Sequence, residues 1–415
     1  MSNTDKPRRP LLDFDEARQR LMAHARPITQ TETVPLLQAV NRVLAQSVQS
    51  PMNVPGFDNS SMDGYAICPE EATASPMRLT VTQRIAAGMC GMPLQPGQAA
   101  RIFTGAPVPR GTYAVIPQEN VQVLSETEIE THVTCAQGDF IRKRGEDISQ
   151  ESEILAAGTL IHPAHLALAA SVGITELVVA RPLKIALLLT GDELVEPGQP
   201  LGNGQIYNSN RYWLQTLLTQ LGCEVLDPGI VPDTAISTQR ALQAASHEAD
   251  VIITCGGVSV GEEDHVRAAV ESMGQIDLWQ IGMKPGKPLA YGKVHDTDIL
   301  GLPGNPVSAY VTFLLMGLPF LRARLGQAAQ PLAHQPMIAG FDWPRADSRR
   351  EFIRVRRRTV SPGVVVLERW PNQSSGVMSS VAWADGLVDI PAGHCFSAGD
   401  TVAYLPMADL IALSS

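Results

Sequence analysis

The spacing of apolar positions divides the chain into stretches of different texture. Near the start, Phe14, Ala17, Leu21 and Met22 repeat at i, i+3, i+7 and i+8, which predicts an amphipathic helix capped by Asp13. From about residue 48 to 147 that period fades. Short β-prone runs at 79–85, 100–103, 113–116, 121–124 and 129–135 stand there between Gly and Pro, and they predict a β-rich domain. Residues 163–172 read as a short helix and 176–179 as a strand. After Pro182 the texture changes. Residues 183–189 are apolar apart from Lys184 near the start, as a buried parallel strand requires. A helix over 209–221 carries Leu214, Leu217, Leu218 and Leu221 on one face, with Gly222 as its stop. Strand 223–226, helix 234–249, strand 251–255, helix 264–273, strands near Leu278 and Ile299, and helix 306–325 continue the alternation. That order predicts a doubly wound α/β domain whose ligand crevice lies at the loops after the strands. Past Ala328 the helical pattern stops, and stretches at 351–358, 364–367 and 401–405 predict a small closing β-barrel or sandwich.

Composition narrows the possibilities. A chain of 415 residues suits roughly two to four domains, and 44% apolar residues are too many for a disordered protein. The formal charge of −10 argues against nucleic-acid or membrane-surface binding. Any anionic substrate must therefore meet a local cluster of cations and backbone N–H groups. Residues 1–10 are polar, unlike a signal peptide, and the most apolar run, 307–321, is broken by Ser308, Tyr310 and Thr312 and falls short of a bilayer span. Six cysteines lie far apart with no C-x-x-C pair, which suits reduced thiols in a cytoplasmic protein.

Five polar, glycine-containing segments sit at strand-to-turn transitions: LTGDEL (189–194), CGGVSVGEED (255–264), MKPGKP (283–288), GLPGNPVS (301–308) and VPGFDNSSMDGY (54–65). Turn chemistry alone covers Asp192, but it accounts less easily for Glu193 in a crevice loop, or for Asp58 and Asn59. The three glycines, Gly256, Gly257 and Gly261, let backbone N–H groups turn toward an anion. Prolines and a glycine hold Lys284 and Lys287 in place, a pattern closer to oxyanion binding than to a solvated face. Pro306 fits a first helical turn and Asn305 its cap, and a helix start is also an anion site with Ser308 in its first turn. His162 and His165 read as structural, since no third ligand stands near. The run Arg349, Arg350, Arg354 and 356–358 reads mostly as one solvated strand face, with one arginine turned toward a site. Glu193, Asp233 and Asp264 offer oxygen ligands suited to Mg²⁺, and nearby lysines and helix starts suit phosphate, a combination that fits phosphoryl or phosphoanhydride chemistry.

Taken together, these segments resemble the molybdopterin molybdenumtransferase family, called MoeA in bacteria and represented by the gephyrin E domain in animals. The matching stretches are VPGFDNSSMDGYAI (54–67), RIFTGAPVP (101–109), RKRGEDI (142–148), TGDELVEPG (190–198), GGVSVGEEDH (256–265), KPGKP (284–288), GLPGNPVSA (301–309), REFIRVR (350–356) and QSSGVMSS (373–380). The resemblance implies a molybdenum insertase that takes adenylylated molybdopterin and molybdate, cleaves the phosphoanhydride with Mg²⁺, releases AMP and leaves molybdenum on the dithiolene. It implies an elongated connecting domain (8–48 and 149–182), a β-rich domain (49–148), an α/β molybdopterin-binding domain (183–328) and a C-terminal β-barrel (329–415). It also implies a homodimer whose sites are shared between subunits, a molybdopterin adenylyltransferase upstream, and delivery proteins for molybdoenzymes downstream. By the same resemblance, Glu193, Asp233 and Asp264 form the Mg²⁺ and pyrophosphate side. Lys284, Lys287, Ser308, Arg349 and Ser375 receive molybdate. Gly256, Gly257, Ser259, Pro303, Asn305 and Pro306 line the pterin and oxyanion pocket. Asp58, Thr104 and Asp147 come from the partner's β-rich domain. Ser374, Asn208 and Ser61 depart mildly from the family pattern, where Gly, Asp and Ala are frequent.

Overall fold

The structure is a computed structural model that describes residues 11–68, 75–257, 265–327 and 330–412. Its centre is a mixed sheet in the order Glu224–Leu226, Lys184–Thr190, Val251–Cys255, Thr297–Leu302, Pro288–Val294, Gly274–Gln280. The first four strands run parallel. Side chains alternate between the two faces along each strand. Ile185, Leu187, Leu189 and Ile253 pack with Leu214, Leu218 and the helix Pro306–Arg324 on one side. Ala186, Leu188, Ile252 and Ile299 pack with Leu242, Val266 and Val270 on the other. Helices thus cover both faces, which is why 185–189 is apolar at every position.

The last two strands are antiparallel. Only His295 and Asp296 separate Pro288–Val294 from Thr297–Leu302, too short a link for a parallel crossover. Strand Pro288–Val294 has no counterpart in the hydrophobic pattern, because Pro288, Gly292 and Lys293 interrupt it.

The helix Pro306–Arg324 spans 19 residues, four more than the apolar run expected at 307–321. It is apolar enough to cross a membrane, but 78% of its most apolar window is buried inside this fold, which makes it a core helix. The helix Phe14–His24 lies against the same core through Phe14, Ala17 and Leu21, and the Asp13 carboxylate accepts from the N–H groups of Asp15 and Glu16 at its start.

Residues 31–49 and 153–180 pair with each other. Thr31–Pro35 runs antiparallel to Glu176–Ala180, and Val48–Gln49 runs antiparallel to Glu153–Leu155. Between them in sequence stands a six-stranded sheet in the order Ala114–Pro117, Gly64–Ile67, Gln98–Ile102, Met77–Ile85, Glu128–Thr131, Gln122–Val123. Its strands Gly64–Ile67 and Ala114–Pro117 are buried on both faces, with Tyr65 and Ile67 on one and Ala66 and Cys68 on the other.

At the C-terminal end, Arg350–Ser361, Val364–Arg369, Gln335–Ala339, Thr401–Pro406 and Gly386–Ile390 pair in sequence around a ring, and the last returns to the first. Five strands therefore close a barrel. The short helices Met378–Trp383 and Met407–Ile411 correct the expectation that helices end at 328, since each is too short to show a helical period. The two-residue strand Met283–Lys284 adds onto the barrel in parallel with Arg350–Ser361, placing Lys284 opposite Glu351.

Candidate functional site

A cavity of about 760 Å³ opens at the carboxyl ends of Lys184–Thr190, Val251–Cys255 and Thr297–Leu302. The loop after the first strand contributes Glu193 and the second contributes Gly256 and Gly257. Both glycines have positive φ, +93° and +66°, and the Gly256 N–H donates to the Leu302 carbonyl at 3.1 Å. Ser259 and Asp264 lie outside the described residues. The third strand leads through Pro303 and Asn305 into the helix Pro306–Arg324, and Asn305, Pro306 and Ser308 all line the cavity. Asn305 holds the N-cap position, but its side chain makes no capping hydrogen bond. Instead, the Ser375 carbonyl accepts from the Val307 N–H at 3.0 Å, which ties the 373–375 segment to the helix start.

The cationic wall comes from Lys284, Lys287 and Arg349. The Arg349 Nε and Nη2 atoms donate to the two Asp347 carboxylate oxygens at 3.0 and 2.9 Å. These bonds hold the Asp347 carboxyl far below the usual range and raise the guanidinium. Lys284 Nζ lies 2.8 Å from Glu351 and 3.4 Å from Asp347. Burial would lower the Lys284 ammonium, but these two carboxylates outweigh it and hold it above its ordinary value. Glu351 is buried, and its other oxygen accepts from Trp343 Nε1 at 2.9 Å. Lys287 has no ion-pair partner among the described residues. The expected solvated arginine face needs correction. Arg354 is 1% exposed and donates to Ser380 Oγ and the Ser374 carbonyl, and Arg350 pairs with Asp389 and Asp15. Arg356, Arg357 and Arg358 are exposed as expected.

Glu193 faces the cavity and Asp233 stands behind it. Asp233 does not line the cavity, but it accepts from the Thr190 hydroxyl at 3.2 Å, and its own N–H donates to Asp192 at 3.3 Å. Neither Glu193 nor Asp233 is ion-paired among the described residues, and these residues hold no cluster of three metal-binding side chains. Cys255 lines the cavity as an inert thiol, pushed up to about 12 by burial.

Asp58, Thr104 and Asp147 do not line this cavity. Backbone hydrogen bonds from Val108 to Asp58, Gly105 to Ser60, and Asp147 to Val54 bring their three segments together at one end of the β-rich sheet. Partial burial pushes the Asp58 carboxyl up, but the Arg144 N–H at 2.7 Å and Lys143 Nζ at 3.0 Å outweigh it and hold it low. Asp63, which reads as a simple turn residue, accepts from both the N–H and the hydroxyl of Thr104 at 2.8 and 2.7 Å. Phe57, Met62 and Phe140 are exposed around this cluster, and Ile206 and Tyr207 are exposed at the cavity rim. His162 and His165 lie ring against ring, tilted by 33°, at a helix start, which agrees with a structural role.

Sequence reasoning missed Asp347, Glu351 and Gln373. The first two gain meaning only from the register that sets Lys284 opposite Glu351. Gln373 bridges Arg354 and Trp370 across a loop that no period marks.

Residues 12–173 match the MoeA N-terminal region (domain I and II), 186–323 a probable molybdopterin binding domain, and 336–407 the MoeA C-terminal region (domain IV). The chain is 38% identical to the molybdopterin molybdenumtransferase of Haemophilus influenzae, over 97% of this chain and the whole of that one. It is 30% identical to the corresponding protein of Bacillus subtilis, over 96% and 94% of the two chains. Among solved structures, the molybdopterin biosynthesis MoeA protein of Pyrococcus horikoshii superposes with a TM-score of 0.82 at 27% identity, covering 95% of this chain and all of the other.

Proposed function

The chain belongs to the MoeA family of molybdopterin molybdenumtransferases, transferases of molybdenum cofactor biosynthesis, and from that premise we propose that its cavity is a molybdenum insertion site. In this reading the cavity takes adenylylated molybdopterin and molybdate, cleaves the phosphoanhydride to release AMP, and leaves molybdenum on the dithiolene. The observation that carries it is the convergence of Lys284, Lys287, Arg349, Ser308 and Ser375 with a helix start on one cavity. Charge-assisted donors, hydroxyls and helix N–H groups suit a tetrahedral dianion.

Glu193 and Asp233 fit Mg²⁺: their donors are all oxygen, no cation already pairs with them among the described residues, and Mg²⁺ is usually held by one or two carboxylates plus substrate phosphate. Asp264 completes the set by resemblance. When bound, the ion would neutralise charge developing on the pyrophosphate. Thr190 orients the Asp233 carboxylate from the strand end, and the Gly256–Gly257 turn lets substrate approach the backbone closely.

The cluster of Asp58, Thr104 and Asp147 completes the site from a second copy of the chain. The exposed Phe57, Met62 and Phe140 beside it, and Ile206 and Tyr207 at the cavity rim, are apolar surfaces that a homodimer would cover. The reading places this dimer in the cytoplasm, between a molybdopterin adenylyltransferase that supplies its substrate and the proteins that deliver its product.

The test is to incubate the purified protein with adenylylated molybdopterin, Mg²⁺ and molybdate, following AMP and molybdenum-bound pterin together. Both should form in parallel and stop when molybdate is omitted. Substrate that binds but is never cleaved would refute the insertase reading.

A further inference from the structure

The cations of the cavity wall are restrained from behind. Asp347 takes the Arg349 guanidinium on both carboxylate oxygens, at 3.0 and 2.9 Å, and also accepts from the Arg349 backbone N–H at 3.0 Å. It stands 3.4 Å from Lys284 as well. Glu351 holds Lys284 at 2.8 Å and is itself fixed by the Trp343 indole N–H at 2.9 Å. Neither carboxylate lines the cavity, whereas both of the cations they hold do. Two cations and two carboxylates are balanced in charge, so Lys287 alone of the three cations on the wall stands without an ion pair among the described residues.

This arrangement bears on a problem of recognition. Molybdate and sulfate are both tetrahedral dianions, so net positive charge attracts them equally. They differ in size, and a site separates them only if its donors stand at fixed spacing. A free lysine or arginine adjusts to either ion. A guanidinium gripped at Nε and Nη2 cannot swing, and it offers Nη1 from a set position. We propose that Asp347 is a specificity-determining residue of the oxyanion site: by fixing Arg349 and balancing its charge, it makes the cavity select a tetrahedral oxyanion by size and reject sulfate. Glu351 restrains Lys284 more loosely, through one carboxylate oxygen at 2.8 Å. The inference rests on the reading of the cavity as a molybdate site, and Asp347 is a positioning residue that acts through Arg349.

The experiment measures molybdate and sulfate dissociation constants by isothermal titration, for the full-length protein and for Asp347→Asn and Asp347→Glu. Asp347→Asn removes the charge. Asp347→Glu keeps the charge but displaces the carboxylate, separating charge balance from position. The molybdate-over-sulfate preference should fall about tenfold or more in both variants, chiefly because sulfate binds better. A preference unchanged in Asp347→Asn, or restored to the wild-type value in Asp347→Glu, overturns the proposal. Should either fail to show a cooperative thermal transition, Arg349→Lys makes the same prediction from the other partner, because an ammonium cannot be gripped at two points. Wild-type protein that binds neither ion contradicts the molybdate reading itself, an outcome distinct from an unchanged preference.

Discussion

Arg354 sits inside the protein with no ion-pair partner among the described residues, and burial pulls its guanidinium down to about 10, still cationic at neutral pH. Its donors go to Ser380 Oγ and the Ser374 carbonyl, and its backbone N–H goes to Gln373. The residue therefore shapes the 373–375 segment at the cavity. Arg354→Ala leaves a void and an unpaired carbonyl, and should lower stability by about 3 kcal/mol in urea unfolding. A loss below about 1 kcal/mol would contradict this role. Asp347 gives a pH signature. Its folded-state carboxyl is depressed, so its stabilising contribution is complete above the ordinary carboxylate range and is lost only as pH falls below it. The stability gap between wild type and Asp347→Asn should therefore stay constant from neutral pH to about 5, and begin to close only below about 4. At this scale the sequence disclosed, each through its own motif, residues that come to line the cavity, such as Glu193, Lys284, Lys287 and Ser308. It concealed Asp347, Glu351 and Arg354, whose importance comes from partners brought close by strand register.

Among the elements, the 284–288 loop is the clearest case of backbone geometry serving the site. Gly286 has φ +108°, and a Cβ added there would lie 2.2 Å from Thr312 Oγ1 on the core helix. Gly286→Ala thus meets both strain and collision. It should cost about 2–4 kcal/mol of stability or move both lysines, visible as a lower melting temperature together with a several-fold higher molybdate requirement. Neither change appearing would show that the loop does not depend on this approach. The parallel strands and their helices were legible because each buries a long apolar face. Strand Pro288–Val294 and the two helices of the C-terminal part were not, because Pro and Gly or mere shortness erase the period. The five-stranded closure was half visible: three strands stood out, but a ring appears only when Arg350–Ser361 pairs with Gly386–Ile390.

Over the whole molecule, the α/β sheet, the barrel and the loop between them build one wall of a cavity, while the Asp58, Thr104 and Asp147 cluster stands on the β-rich part away from it. The order of motifs along the chain discloses the family, but no residue pattern states whether a second copy supplies that cluster to the cavity. That division makes the central claim testable. The Asp58→Ala and Lys287→Ala variants, each expected to be inactive alone, are unfolded together, refolded as a mixture and assayed for molybdate-dependent AMP release. If each site joins the α/β cavity of one chain to the β-rich cluster of its partner, every mixed dimer regains one intact site, and activity should return to about a quarter of wild type. A mixture that stays as inactive as its parents would contradict the shared insertion site.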